Sequence, residues 1–285
     1  MEDNLKMFLC SIKEAFQNDK EQIANYINHS ISAQDYEKIP GIGHKEKAQY
    51  IVENGFDEEH ENPVDKKKIA LNILVANNNS AEEEIKWLSE CFDITVLKHG
   101  EINSEKVDLV LFTGGEDVST EIYGENKGKY TSCNKTRDNL EESILNNYYN
   151  VPKLGICRGS QFLTVYSGGK LIQHVTGHGR NHEIEDQKGK SYEITSTHHQ
   201  MMFPFEMSQL NYKIIAHSKY FNSSTYLNGN DEEIKRSADF LECEIVYYPN
   251  TKALCIQGHP EYPNCPQKTK DMCLSLVKEY LINKK

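Results

Sequence analysis

The sequence predicts an α/β domain over residues 69–285, built as a three-layer, doubly wound, mostly parallel sheet, after a small helical unit and charged linker over residues 1–68. Three observations carry this prediction. From residue 69 onward, apolar runs of strand length alternate with segments of helical spacing. Two of these runs end in glycine-bearing turns, "FTGG" and "GIC". The composition changes at "DEEHENPVDKKK", residues 57–68, where charges dominate around one proline. Strands separated by helices imply parallel pairing, because a parallel strand needs a crossover and the crossover packs back onto the sheet.

In order along the chain, Leu5, Phe8, Ile12 and Phe16 fall at helical spacing, and Ile23, Tyr26 and Ile27 suggest a second amphipathic helix. "IPGIGHKEKAQYI", residues 39–51, resembles the hairpin of helix-hairpin-helix modules, whose Gly-x-Gly amides grip a nucleic-acid phosphate. The reading preferred here is a glycine-rich connection between two helices of a docking domain. Beyond the linker, "KIALNILVANNN" reads as a buried strand, "SAEEEIKWLSECF" as a helix, "DITVLKH" as a strand, and "KVDLVLFTGG" as a strand closed by two glycines. A long polar loop leads to the helical "TRDNLEESILNNYYN" and then to the strand "PKLGIC". In such sheets reactive residues gather at the carboxyl ends of the strands, so "FTGG" and "GIC" are expected to meet there.

Composition narrows the function classes. The net charge of -11, from 43 acidic and 32 basic residues, gives no bulk attraction for nucleic acid or an anionic membrane. "MEDNLKMFLC" is acidic where a secretory signal is basic, and no apolar run approaches a membrane span, so a cytoplasmic protein is expected. The eight cysteines form no C-x-x-C pair, which favours reduced thiols over a disulfide framework or structural zinc.

The most informative stretch is "KLGICRGSQFLTVYSGGKLIQH", residues 153–174. A G-x-C-x-G turn is the thiol counterpart of the G-x-S-x-G nucleophile elbow, in which the nucleophile sits on a sharp strand-to-helix turn and flanking glycines avoid a clash. Cys157 is therefore expected to be exposed, at the start of a helix whose amides and dipole favour a thiolate. The elbow aims the Arg158 amide at an oxygen that becomes negative on attack, and Gly115 or its neighbour Gly114 offers a second amide. The structural alternative is a buried cysteine at a tight turn.

A thiolate that attacks an amide needs a group to protonate the leaving amine, and "CIQGHPEYP" supplies one. If residues 255–261 are extended, His259 and Glu261 project to one side, and the carboxylate fixes the imidazole tautomer. Among the eleven histidines, "HGRNH" and "STHHQMM" hold four more, and a histidine group with nearby carboxylates has the chemistry of a metal site.

Taken together, these segments resemble the class I glutamine amidotransferase superfamily, in particular its γ-glutamyl-γ-aminobutyrate hydrolase branch. The resemblance covers about residues 70–281: "FTGGEDV...IYGE" looks like the oxyanion strand and loop, "TRDNLEESIL" like the helix before the nucleophile strand, "LGICRGSQFLTVYSGGKLIQ" like the elbow, helix and next strand, "STHHQMM" like a substrate-pocket segment, and "IQGHPE" like the end that bears the base. It implies the flavodoxin-like amidotransferase fold. Carried over position by position, it implies Cys157 as nucleophile, His259 as base and Glu261 as its orienter, with oxyanion amides from Gly115 and Arg158. Gln161, His199, Gln200 and Met201 match positions that hold the glutamyl moiety. Gly258 stands where the branch commonly has an aromatic residue, and Thr120 where it commonly has proline.

The implied activity is cleavage of a γ-glutamyl amide through a γ-glutamyl thioester, with no metal or other cofactor required. The alternative is a glutamine amidotransferase that passes ammonia to a partner or bound acceptor, and a third reading is a catalytically silent binding module. Expected partners are a small γ-glutamyl substrate or glutamine, and a protein partner or second copy recruited through the N-terminal unit.

Overall fold

The computed structural model describes residues 68–77, 81–97, 106–237 and 240–283. The N-terminal helices, the Gly41–Gly43 hairpin and all but the last residue of the linker lie outside the described residues.

The described elements follow the predicted alternation. They are β1 (Ile69–Val75), α1 (Glu82–Leu88), β2 (Phe92–Leu97), β3 (Leu109–Phe112), α2 (Lys135–Asn147), β4 (Lys153–Ile156) and α3 (Arg158–Tyr166). Short strands β5 (Lys170–Ile172) and β6 (His174–Val175) come next, then β7 (His182–Asp186), β8 (Ser191–Ile194), β9 (Met201–Phe203), β10 (Lys213–Ser218), β11 (Tyr226–Leu227), β12 (Cys243–Tyr248), β13 (Ala253–Ile256) and α4 (Gln267–Val277).

Nine of these strands form one sheet in the order β2-β1-β3-β4-β13-β12-β10-β7-β8. The first five run parallel, and counting β13 as the fifth gives the 2-1-3-4-5 order of a flavodoxin-like sheet. From β13 outward every pairing is antiparallel, an extension that the helix-strand alternation does not announce.

Both faces of the parallel part are covered, and a period of two assigns each residue to a layer. On one face Ile73, Leu109, Leu111, Leu154 and Ile156 pack with Trp87 and Leu88 of α1 and with Cys273, Leu274 and Val277 of α4. On the other, Leu74, Val110 and Phe112 pack with Ile144 and Leu145 of α2 and with Phe162, Leu163 and Val165 of α3. The described residues thus form a three-layer α/β sheet, as the sequence predicts for residues 69–285. Because β3, β4 and β13 are adjacent and parallel, their carboxyl ends open on one edge of the sheet, which brings Thr113–Gly115, Cys157 and His259 together.

Seven cysteines among the described residues are free thiols. No helix among the described residues is long and apolar enough to cross a membrane.

Candidate active site

Cys157 follows the last residue of β4 and precedes the first of α3, with φ 49° and ψ -110°. Side chains rarely occupy positive φ, and such strain persists only where the surroundings impose it. Here the amide of Cys157 donates to the Ile256 carbonyl at 2.8 Å, while its carbonyl accepts from the amides of Ser160 and Gln161, locking the turn on both sides. The glycines are sterically required. A Cβ on Gly155 would lie 2.7 Å from the Gly159 carbonyl oxygen, and one on Gly159 would lie 2.1 Å from that of Phe112. Gly159→Ala is accordingly expected to push α3 off β3 and cost about 3 kcal/mol or more, measured by urea unfolding.

Cys157 is buried, with 8% of its surface accessible, which corrects the expectation of an exposed thiol. The elbow does present it to a cavity, but Gly114 and His259 crowd close beside it and cover most of its surface. The cavity has a volume of about 600 Å³ and is lined by Gly114, Gly115, Cys157, Arg158, Gln161 and His259, among others.

The His259–Glu261 pairing is present, with Nδ1 and Oε1 2.7 Å apart, but strand alternation is not its cause. β13 ends at Ile256, and Pro260, which lacks an N–H, lies in the turn that follows. The amide of His259 donates to the Thr195 carbonyl at 2.7 Å, and that of Tyr262 donates back to the His259 carbonyl at 3.4 Å. This turn folds the carboxylate onto the ring. The Tyr262 ring stacks on the imidazole with centroids 4.3 Å apart, and Thr197 Oγ1 lies 3.0 Å from Nε2.

Burial alone would push the His259 pKa down, but hydrogen bonds to Cys157 and Glu261 outweigh it and raise the pKa to about 10. A raised folded-state pKa stabilises fully below the ordinary value of 6.5, and this contribution fades as pH climbs through about 10. Glu261→Gln removes one of the two raising partners. Between pH 6.5 and 10 the unmodified protein should therefore lose more unfolding free energy than Glu261→Gln, as measured by denaturant titration at both pH values.

The oxyanion candidates are set by a side chain that the motif search passed over. Arg137, on α2, donates from Nη2 to the carbonyls of Thr113 at 2.9 Å and Gly114 at 3.0 Å. A trans peptide places its carbonyl and the following N–H on opposite sides, so holding these carbonyls toward Arg137 turns the amides of Gly114 and Gly115 away from it. Gly115 sits at φ 145°, and a Cβ there would overlap Arg137 Nη1 at 2.0 Å. Arg137 also pairs with Glu141 at 2.8 Å and Glu116 at 2.9 Å. The hydrogen bond from Asn134, with those from its own backbone and from Arg137, holds the Glu116 carboxyl down at about 2.

Arg158 faces the site only through its backbone. Its side chain is 1% exposed and pairs with Asp138 and Glu141 inside the protein. As the first residue of α3 its amide has no carbonyl one turn back to bond.

The substrate-side candidates divide. Gln161 lines the cavity and donates from Nε2 to the Gln200 carbonyl at 3.0 Å, and Gln200 donates to Thr131 Oγ1 at 3.0 Å. His199 also lines it and lies 3.1 Å from Asp117 Oδ1, a contact that raises the imidazole pKa. Met201 is not among the lining residues. It pairs with Ile172 in the β5–β9 ribbon and packs fully buried with Val175, Tyr226 and Phe240. Sequence reasoning missed Arg137, Thr197, Tyr262 and Glu84, a cavity residue whose carboxyl is raised by burial. Only Arg137 carries a signal, since it and Glu141 are four apart on a helix.

The peptidase C26 family model matches residues 101–261. The glutamine amidotransferase-like protein YvdE of Lactococcus lactis is 35% identical over 33% of this chain and 40% of its own length. The carbamoyl phosphate synthase small chain of Wigglesworthia glossinidia brevipalpis is 29% identical over 47% of this chain and 32% of its own. The chain thus spans less than half the length of these two relatives. A Schizosaccharomyces pombe protein described as a glutamine amidotransferase is 26% identical over 68% of this chain and 78% of its own.

Proposed function

Because this chain belongs to the peptidase C26 family, within the class I glutamine amidotransferase superfamily, and so to enzymes of the cysteine hydrolase or amidotransferase type, we propose that it hydrolyses a γ-glutamyl amide through a thioester on Cys157. The observation that carries this reading is the juxtaposition, at one edge of the sheet, of a strained Cys157 at a helix N-terminus with a His259 that lines the same cavity and is hydrogen-bonded to Glu261.

In the proposed reaction the Cys157 sulfur adds to the γ-carbonyl carbon. The carbonyl oxygen takes the negative charge and accepts hydrogen bonds from the amides of Gly115, or its neighbour Gly114, and Arg158. His259, holding the proton taken from the thiol, delivers it to the departing nitrogen, so the C–N bond breaks and the thioester remains. Water, deprotonated by the same imidazole, then releases glutamate and restores the thiol. Glu261 keeps Nδ1 as the donor side of the ring and balances the imidazolium. Gln161, His199 and Gln200 are proposed to hold the glutamyl end.

Glutamine amidotransfer is the second reading, favoured by the relative that is by name one chain of carbamoyl phosphate synthase. There the leaving group is ammonia, and a partner engaged by the N-terminal unit consumes it. A glutamate-release screen over glutamine and a panel of γ-glutamyl amines decides between them. Turnover of γ-glutamyl amines by the chain alone supports hydrolysis, whereas glutamine turnover that rises only when a partner is added supports the alternative.

A further inference from the structure

Three histidines that the reaction leaves unused, His178 and His182 of "HGRNH" and His198 of "STHHQMM", converge on one point inside the protein. His178, His182 and His198 surround Glu244, the second residue of β12, and the four are between 0% and 8% exposed. One ligand atom each from His178, His182 and Glu244 can be chosen so that all lie within 4.8 Å of one another. Around Glu244 Oε1, His182 Nε2 lies at 2.9 Å, His178 Nδ1 at 3.3 Å and His198 Nε2 at 3.9 Å. Ligands bound tetrahedrally at about 2.0–2.1 Å from zinc stand about 3.4 Å apart, so the three distances from Glu244 bracket such a site, and the rings need to draw in by about 1 Å to close it.

The partners of the far ring atoms say which atoms are free to bind. His198 Nδ1 is 2.8 Å from the Gln200 carbonyl and His182 Nδ1 is 3.2 Å from the Arg180 carbonyl. A carbonyl only accepts, so each Nδ1 carries its proton and Nε2 is the ring atom turned toward Glu244, hydrogen-bonded to it at 2.9 Å in His182. Positive charge, from a metal ion or from a ring proton, must lie between these nitrogens and the carboxylate. His198 Nε2, both ring nitrogens of His178 and Glu244 Oε2 are buried without a hydrogen bond among the described residues.

The outer groups complete the pattern. On the far side of His178, Glu242 Oε2 lies 3.2 Å from Nε2, the arrangement in which a carboxylate backs a metal-bound imidazole. Glu242 is itself fixed by the amides of Asn222 and Ser223, both at 2.9 Å, and by the Tyr226 hydroxyl at 2.6 Å. Ser218 Oγ donates to Glu244 Oε1 at 3.0 Å. With the imidazoles in the neutral form that binds a metal, the two buried carboxylates carry a charge that one divalent cation cancels.

The geometry points to a buried structural site for a divalent transition metal of zinc type, bound by His178, His182, His198 and Glu244. Imidazole nitrogen with one carboxylate suits zinc, and four buried protein ligands make the site closed and structural. It would tie the segment that begins at His178 and the segment around His198 to β12. Because Thr197 and His199 flank His198, the metal would stiffen one wall of the cavity without touching the reacting atoms.

The test uses the full chain carrying Cys157→Ala, which removes the active-site thiol as a competing ligand. After chelator treatment the protein is titrated with zinc and separately with cobalt. One equivalent of zinc per chain, a rise in unfolding temperature with free zinc and a four-coordinate cobalt absorption spectrum are expected. His182→Gln with His198→Gln should weaken binding at least about 100-fold. Should that double variant not fold, imidazole nitrogen NMR of the Cys157→Ala protein with and without zinc gives the same answer, since metal-bound nitrogens are distinct from protonated ones. Failure to bind zinc or cobalt, binding unchanged in a folded double variant, or imidazolium signals that persist in saturating zinc would overturn the site. Two protons, and no metal, would then neutralise the carboxylates.

Discussion

Cys157→Ala is expected to abolish γ-glutamyl cleavage, lowering kcat at least about 10⁴-fold, because among the described residues no other cysteine lines the cavity. The fold should survive. Cys157 lines the cavity at the rim of the core it shares with Ile156 and Ile256, the substitution removes one sulfur atom, and alanine occupies the same positive φ that Cys157 already tolerates. One stability effect should accompany the loss. The His259 imidazole is held charged in part by its hydrogen bond to Cys157, so its titration should move to lower pH in the variant, as followed by NMR. Glutamate release by purified Cys157→Ala at anything near the rate of the unmodified enzyme would remove the proposed chemistry altogether.

The second large effect is a ranking. His259→Ala should reduce kcat by a factor approaching that of Cys157→Ala, since it removes the group that carries the proton in both half-reactions. Glu261→Gln should cost roughly 10- to 100-fold less, because an orienting group contributes less than the proton carrier. A residual rate is physically reasonable in that variant. The Tyr262 ring stacked on the imidazole, and the His259 amide bonded to Thr195, still restrain the ring when the carboxylate is gone. The opposite ranking in folded variants, from steady-state kinetics with one γ-glutamyl substrate, would mean that another group orients His259. Glu84 would be the first to examine, since its carboxyl lines the same cavity.

What was legible in the sequence follows the length scale of the forces involved. The parallel half of the sheet was readable because apolar runs and helical spacings are local, and strand connection rules then leave few arrangements. The elbow was readable for a related reason: Gly155 and Gly159 are demanded by contacts to the next turn and the neighbouring strand, and so leave a signature five residues long. The antiparallel strands β7, β8, β10 and β12 were not: β10 pairs with β7 and β12 across tens of residues, and the local β7–β8 and β12–β13 hairpins interrupt the helix-strand alternation that was followed. Burial of charge was hidden as well. Nothing near Arg137, Glu141, Asp138 or Arg158 tells that these residues face one another inside the protein instead of solvent, because which helix face is covered is decided by the sheet. The correct pairing of His259 with Glu261 came from the wrong cause. A period of two was expected and a proline turn delivers it, and both place residues two apart on one side.

The central claim is the covalent γ-glutamyl thioester on Cys157, and the direct measurement is intact-protein mass spectrometry after rapid mixing with a γ-glutamyl amide and acid quench. The predicted result is one γ-glutamyl increment per chain, located by digestion to the peptide holding Cys157, removed by hydroxylamine as the hydroxamate, and missing in Cys157→Ala. An enzyme that turns over the same substrate with no adduct at any quench time, or with the adduct on another residue, would contradict it.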